Sequence, residues 1–380
     1  MKKNVLLALS MTAILGSNIV QAADVSETDA ATYNVVTSAE TTKVILDSDM
    51  RYLTDDMYTL MVLLQADAAG YIDLLGVTTA NPGVRVETEA QMALDMLEKV
   101  GRTDIPVYIG TNTPLDGMWY ADNELVSKWN MRVRDSMKAS LDPYSEVDYS
   151  SMNLGGKYDP TVAENTTLKP QNNAAWKFMI EQVQEYPGQV VILSIGAATN
   201  TAIAIENDPT FAENTAGIYY MGGQTPLDGS YGYGSFNWAS DAKAVNVCLN
   251  ADFPKQVLIP SEIAETTVLT KDVMDQIVSG DSEVSKFLKD IAYSTWEEDP
   301  DRTQSFWDVV VPAVLMLDNV TETEEVRYMT LCEEVGPFLG VLRQWKEEKA
   351  PKDLHPVQVV WSVDNDIYWD FLVDLLTSTF

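Results

Sequence analysis

Histidine is almost absent from this sequence. In 380 residues there is one, His355, set in Asp-Leu-His-Pro, where it reads as part of a polar surface loop. A histidine-based nucleophilic triad or a zinc site therefore has almost no material to work with. Cysteine is nearly as scarce. Cys248 and Cys332 are too far apart for any zinc-ligand spacing, and the sequence leaves open whether they form one disulfide or stay as two buried thiols. Positive charge is the third shortage: 25 Lys and Arg face 57 Asp and Glu, a formal net charge of −32. A chain so acidic repels phosphates, which excludes nucleic acid as its partner and argues against attachment to membranes through basic patches. Beyond the N-terminal segment, no apolar run approaches the ~18 residues that a membrane-spanning helix needs.

What remains is material for a globular fold. Apolar residues at 46% and aromatics at 9% lie well above the range in which chains stay disordered. At the N-terminus, Lys2 and Lys3 precede a mostly apolar run from Val5 to Leu15. Val20-Gln21-Ala22 then offers small residues for cleavage before Ala23. Residues 1–22 are thus expected to be a signal peptide and the mature protein to be exported, periplasmic or secreted. Residues 23–42, rich in Ala, Thr, Ser and Glu and without periodicity, are expected to form a flexible leader.

From Lys43 short apolar runs alternate with amphipathic stretches. The pattern predicts strands over Lys43–Asp49, Ile72–Thr79, Ile105–Ile109, Val190–Ser194 and Gly217–Met221. Helices are predicted over Asp55–Ala69, Glu87–Val100, Ala174–Tyr186 and Asn200–Asn207. Strands that alternate with helices imply an α/β fold with a mainly parallel open sheet, because parallel neighbours need crossover connections. No linker or repeat divides the chain, so residues 43–380 read as one domain. Its rhythm is broken only by an aromatic-rich insertion at about 116–170 that carries Trp119, Tyr120, Trp129, Tyr144, Tyr149 and Tyr158. In such folds ligands bind at the carboxyl ends of the strands.

The densest chemical signal lies at the first of those ends, Asp47-Ser-Asp49-Met-Arg-Tyr-Leu-Thr-Asp55-Asp56. Two unit charges 4 Å apart repel by about 4 kcal/mol at an effective dielectric of 20. A divalent cation would cancel that cost, and hard carboxylate oxygens favour Ca2+ or Mg2+ over zinc or copper. Taken alone, Asp55 and Asp56 could equally serve as the acidic first turn of a helix. Asp47-Ser-Asp49 by itself also fits the nucleophile motif of a haloacid-dehalogenase-like phosphatase, with Asp47 phosphorylated beside Mg2+.

A wider resemblance bears on that choice. Asp47-Ser-Asp49 with Asp55-Asp56 resembles the Asp-x-Asp…Asp-Asp signature of the inosine-uridine-preferring nucleoside hydrolases, in a longer-spaced form. Further segments are similar and in the same order: Leu75–Thr79, Asp104–Tyr108, Leu193–Asn200, Met221-Gly-Gly223, Phe236–Asp241, Phe306-Trp-Asp308 and Val363–Leu372. The resemblance implies a single-domain, Rossmann-like α/β enzyme that binds Ca2+ and hydrolyses the N-glycosidic bond of a ribonucleoside to free base and ribose. It implies side-chain metal ligands at Asp49, Asp56 and Asp308, with the carbonyl of Ile195 as another. By the same carry-over Asp49 is the general base on a metal-bound water, and Asp55 and Asn237 hold the substrate. Dimers or tetramers are common in that family, but no interface is legible here.

Three departures qualify this. Gly83 stands where many members place an Asn that binds ribose, and Asn81 is the candidate to take its place. Ser235 replaces a common Glu. Trp307 replaces a His that helps the base leave, and is the candidate to stack on the base. These departures motivate an alternative, a metal-containing nucleoside-binding or catalytically impaired member. Met221-Gly-Gly223 reads either as close approach of backbone to ligand or as a tight turn. Asp241 is expected to cap the helix that follows it.

Overall fold

The computed structural model describes residues 32–36, 40–80, 85–115, 166–224, 235–334 and 338–380. The signal segment, Asn81, Gly83 and nearly all of the 116–170 insertion, its aromatics included, lie outside these residues. The predicted alternation is present. β1 (Thr42–Ser48), β2 (Ile72–Thr79), β3 (Val107–Tyr108), β4 (Val190–Ser194), β5 (Gly217–Met221) and β6 (Gln256–Ile259) are followed by β11 (Pro356–Val363) in one parallel array. An antiparallel edge completes the sheet. There β9 (Thr321–Leu331) pairs with both β11 and β10 (Leu342–Trp345), giving the order β10-β9-β11-β6-β5-β4-β1-β2-β3. A separate two-stranded ribbon joins β7 (Val268–Leu269) to β8 (Gln304–Ser305).

The central strands are apolar throughout because both faces are covered. Successive side chains point to opposite faces, so Val44, Leu46, Val191, Leu193, Val257 and Ile259 enter one core. Ile45, Val190, Ile192, Ile218, Tyr220 and Leu258 enter the other. Helices Asp55–Ala68 and Asn365–Thr377 lie with the first core, and helices Ala175–Glu185 and Ala242–Leu249 with the second. Among the described residues no helix is long and apolar enough to cross a membrane. Cys248 and Cys332 are both free thiols, the former buried.

The leader differs from expectation. Its described part, residues 32–36, is docked rather than free: Val35 bridges Leu317, Val36 N donates to Met316 O at 2.8 Å, and Tyr33 Oη donates to Asp374 at 3.0 Å. Tyr33 also stands edge-on to Phe371, ring centroids 5.3 Å apart. Two aromatic and branched side chains within a polar, aperiodic stretch were enough to anchor it, a signal that composition averages away.

Met221-Gly-Gly223 has a packing reason within the protein. A Cβ on Gly222 would lie 2.4 Å from the indole of Trp238, and Gly223 has φ +66°. Close approach is thus to protein, and it seats the helix Phe236–Ser240 against the end of β5. Gly222→Ala is expected to cost about 1–3 kcal/mol of stability through overpacking. It should lower the urea midpoint with an unchanged slope; an unchanged midpoint would mean that the indole can step aside.

Candidate metal centre

β1 is flanked by β2 on one side and β4 on the other, so the strand order reverses at β1/β4. A crevice opens at such a switch point, beyond the carboxyl ends of the strands. Asp47 and Ser48 close β1 there, and Ser194 closes β4 with Ile195 just beyond it. The chain then loops through Asp49–Thr54 and enters the helix Asp55–Ala68 with two acids in its first turn, where the helix dipole favours negative charge. Asp308 reaches the same place just ahead of the helix Val310–Met316, whose Val310, Val311 and Ala313 share the first core with Met57 and Leu60.

These carboxylates converge. Among the described residues, one oxygen from each of Asp55, Asp56 and Asp308 lies within 4.8 Å of the other two. The Asp308 backbone N–H donates to Asp55 Oδ2 at 3.0 Å, which locks the two segments together. Asp56 is held at both oxygens, by Ser48 Oγ at 2.7 Å and Thr54 Oγ1 at 3.0 Å. Asp49 accepts from the Arg51 guanidinium at 3.3 Å. Asp47 lies deepest: its Oδ1 accepts from Thr78 Oγ1 at 2.6 Å and from Asn200 Nδ2 at 2.8 Å, while its Oδ2 has no hydrogen-bond partner among the described residues.

Burial is the main force on all five. It raises Asp47 to about 7 against the hydrogen bonds from Thr78 and Asn200. It raises Asp49 to about 6, opposed by the Arg51 charge and aided by Asp55. Asp55 is raised by burial, with the Asp308 backbone pulling the other way. Asp56 and Asp308 are pushed well above the usual carboxylate range, first by burial and then by their acidic neighbours.

That is the electrostatics of a cation site. The donors are all oxygens, the carboxylates repel one another, and Asp308 Oδ1 is buried with no hydrogen-bond partner among the described residues. A hard divalent ion with oxygen ligands at about 2.3–2.6 Å fits this set. Carboxylates left unpaired at such burial are otherwise costly.

The site residues expected from the sequence fall as follows. Asp56 and Asp308 are in the cluster; Asp49 sits beside it, engaged with Arg51. Asp55, assigned to a ribose hydroxyl by resemblance, joins the cluster itself because Asp308 N–H draws it in. The Ile195 carbonyl and Asn237 meet directly, Asn237 Nδ2 donating to it at 2.6 Å and to Met221 O at 3.3 Å. Carbonyl oxygens have two lone pairs, so this bond leaves one for a cation. Trp307 is partly buried against the first core. Asp241 caps the helix Ala242–Leu249 through Ala244 N and also accepts from Thr199 and from Leu115 N.

Sequence reasoning passed over Arg51, a cation placed among Asp49, Asp56, Glu89 and Asp55. A lone positive charge inside the acidic motif was the available signal. It also passed over Asn200, which joins Asp47 to the Thr79 carbonyl.

Comparison with known proteins supplies a family and a fold. The family model described as inosine-uridine preferring nucleoside hydrolase matches residues 44–370. A probable uridine nucleosidase 1 of Oryza sativa subsp. japonica is 25% identical over 88% of this chain and 97% of its own length. A plant nucleoside hydrolase superposes with a TM-score of 0.64 at 23% identity, covering 89% of this chain and 99% of the other. A purine-preferring ribonucleoside hydrolase from Gardnerella vaginalis superposes with a TM-score of 0.63 at 20% identity, covering 88% and 99%.

Proposed function

Because this chain belongs to the inosine-uridine preferring nucleoside hydrolase family, enzymes that hydrolyse ribonucleosides to base and ribose, we propose that it works with Ca2+ held by Asp49, Asp56, Asp308 and the Ile195 carbonyl, joined by Asp55. The observation that carries this reading is the convergence of buried carboxylates at the switch point, with Asp308 Oδ1 lacking a hydrogen-bond partner among the described residues. The ion, when bound, supplies positive charge that acidifies water and grips vicinal hydroxyls.

The protein's own groups do the rest. Asp49 takes a proton from the attacking water. Arg51, bonded to Asp49, opposes the effect of burial and favours the ionised form that can accept it. Asp55, Asn237 and Asn81 hold the sugar. As the C1′–N bond breaks, its electrons leave with the base and positive charge spreads over the ribose ring. The acidic surroundings stabilise that charge. Trp307 offers a stacking face and no titratable proton, so the site suits a base that departs as an anion or takes its proton from solvent.

Ribose release from a panel of purine, pyrimidine and nicotinamide ribosides, with Ca2+ and again with chelator, tests the reading. Chelator-sensitive release is expected, and the preferred riboside names the base. Release that survives complete metal removal would sink the Ca2+ assignment; silence across the panel despite bound metal would favour the binding-only alternative. The reading includes export, supported by the Lys2-Lys3 and Val5–Leu15 segment. A mature N-terminus at Ala23 is the expected result of sequencing the exported protein.

A further inference from the structure

The link Met50–Thr54 spaces Asp49 from Asp55 and Asp56, and it must do so against the repulsion of the charges at its two ends. It is unusually costly backbone. Leu53 has φ +62°, a left-handed conformation that a leucine adopts only when its surroundings impose it. What imposes it comes from outside the acidic cluster. Gln304 Nε2, on β8, donates to the Leu53 carbonyl at 3.2 Å. On the other side Tyr52, 3% exposed, donates its hydroxyl to the carboxylate of Asp95, also 3% exposed. Lys99 Nζ pairs with the same Asp95 oxygen and lies 3.3 Å from the Tyr52 hydroxyl. It also stands 5.5 Å from the centre of the Tyr52 ring. Phe287 flanks that ring at 6.4 Å.

Asp95 and Lys99 lie one turn apart on the helix Val86–Lys99. Asp95 is buried although it takes no part in the carboxylate cluster. A buried carboxylate is retained at little cost only where it is paired and hydrogen-bonded, and among the described residues its partners are Tyr52 of the loop and Lys99 of its own helix, which also meet each other.

We propose that Tyr52, Asp95 and Lys99 form a positioning triad that fixes the span between Asp49 and Asp55–Asp56 and thereby sets the affinity of the metal site. The inference rests on the metal reading given above. None of the three belongs to the carboxylate cluster, so these are positioning residues. Groups that hydrogen-bond a metal ligand directly typically change affinity by about 10–100-fold when removed; acting one step further out through the loop, this triad belongs at the lower end of that range.

The test is calorimetric titration of the full chain, stripped by chelator, with Ca2+, comparing wild type, Tyr52→Phe, Asp95→Asn and Asp95→Ala. Tyr52→Phe removes one hydroxyl and keeps the ring. It is expected to raise the Ca2+ Kd about tenfold with unchanged stoichiometry, and its lost activity should return as Ca2+ is raised. Asp95→Asn, which keeps an acceptor for Tyr52, should lose less affinity than Asp95→Ala. Lys99→Met, at a partly exposed side chain, does not threaten the fold and is the variant of record should the others fail to fold; it should weaken binding in the same direction by a smaller factor. A merely structural contact gives a different result: lowered melting temperature, unchanged Kd, and an activity loss that Ca2+ does not restore. That outcome overturns the inference alone. Wild-type protein that binds no divalent cation overturns the metal reading and the inference with it.

Discussion

Asp308→Asn is expected to lower kcat/KM for ribonucleoside hydrolysis by about 10³-fold, and at the same time to raise the melting temperature of the metal-free protein. The two effects have one cause. Asp308 is buried beside Asp55 and Asp56, with an oxygen that no hydrogen bond from the described residues satisfies. On the proposed reading that oxygen is a ligand when the ion is bound. Without the ion, the group either carries a charge that burial and three neighbouring acids penalise or takes up a proton that the unfolded chain would not hold. The amide keeps the shape and removes the charge, so the empty site relaxes while the loaded site loses a donor. A loss of about 4 kcal/mol of transition-state stabilisation corresponds to that factor in rate. Asp49→Asn provides the contrast. Excess Ca2+ should restore part of the Asp308→Asn activity by refilling a weakened site. It should restore little of Asp49→Asn, whose proton acceptor is gone whatever the occupancy. Rate measurements against Ca2+ concentration for both variants check this. Equal rescue of the two would remove Asp49 from the role of base, and a lower melting temperature for metal-free Asp308→Asn would contradict the account of the empty site.

The parallel half of the fold was legible because its signal is local. Ile72–Thr79, Val190–Ser194 and Gly217–Met221 are apolar runs bounded by polar residues, and the strands occupy those spans to the residue. The antiparallel edge was not legible for the opposite reason. β9 reads Thr-Glu-Thr-Glu-Glu-Val-Arg, a charged and largely exposed stretch whose strand state is imposed by pairing with β11 and β10. Charges on an exposed edge oppose further pairing and hide the strand from an apolar pattern.

The site divides in the same way. Asp47, Asp49, Asp55 and Asp56 stand close together in sequence, and the ordered resemblance brought in Asp308 and Ile195. Partners chosen by the fold alone stayed invisible. Asn200 reaches Asp47 across 153 positions. Asp95 and Lys99 look like an ordinary surface ion pair one helical turn apart, until Tyr52 is found on top of them.

Chelation should destabilise the protein strongly near pH 8 and hardly at all near pH 5. Burial holds Asp49 up near 6 and Asp47 near 7, and Asp55, Asp56 and Asp308 also lie above their ordinary values. In the unfolded chain these groups titrate near 4. Between about 4 and 7 the folded, metal-free protein therefore binds more protons than the unfolded chain, and its stability falls as pH rises through that window. Asp49 alone, moved from 3.8 to about 6, contributes on the order of 3 kcal/mol to that fall. The ion reverses the slope. It requires the carboxylates ionised, so protons compete with it below about pH 6 and its hold strengthens as they leave. Ligand at 100 times its Kd adds about 2.7 kcal/mol to the folded state, comparable to what the empty site loses. The melting temperature should accordingly fall from pH 5 to pH 8 in chelator and stay level or rise in Ca2+, the two curves diverging with pH. Calorimetric scans across that range, in each medium, decide it. Parallel curves would mean that the cluster of Asp55, Asp56 and Asp308 is not where the ion binds.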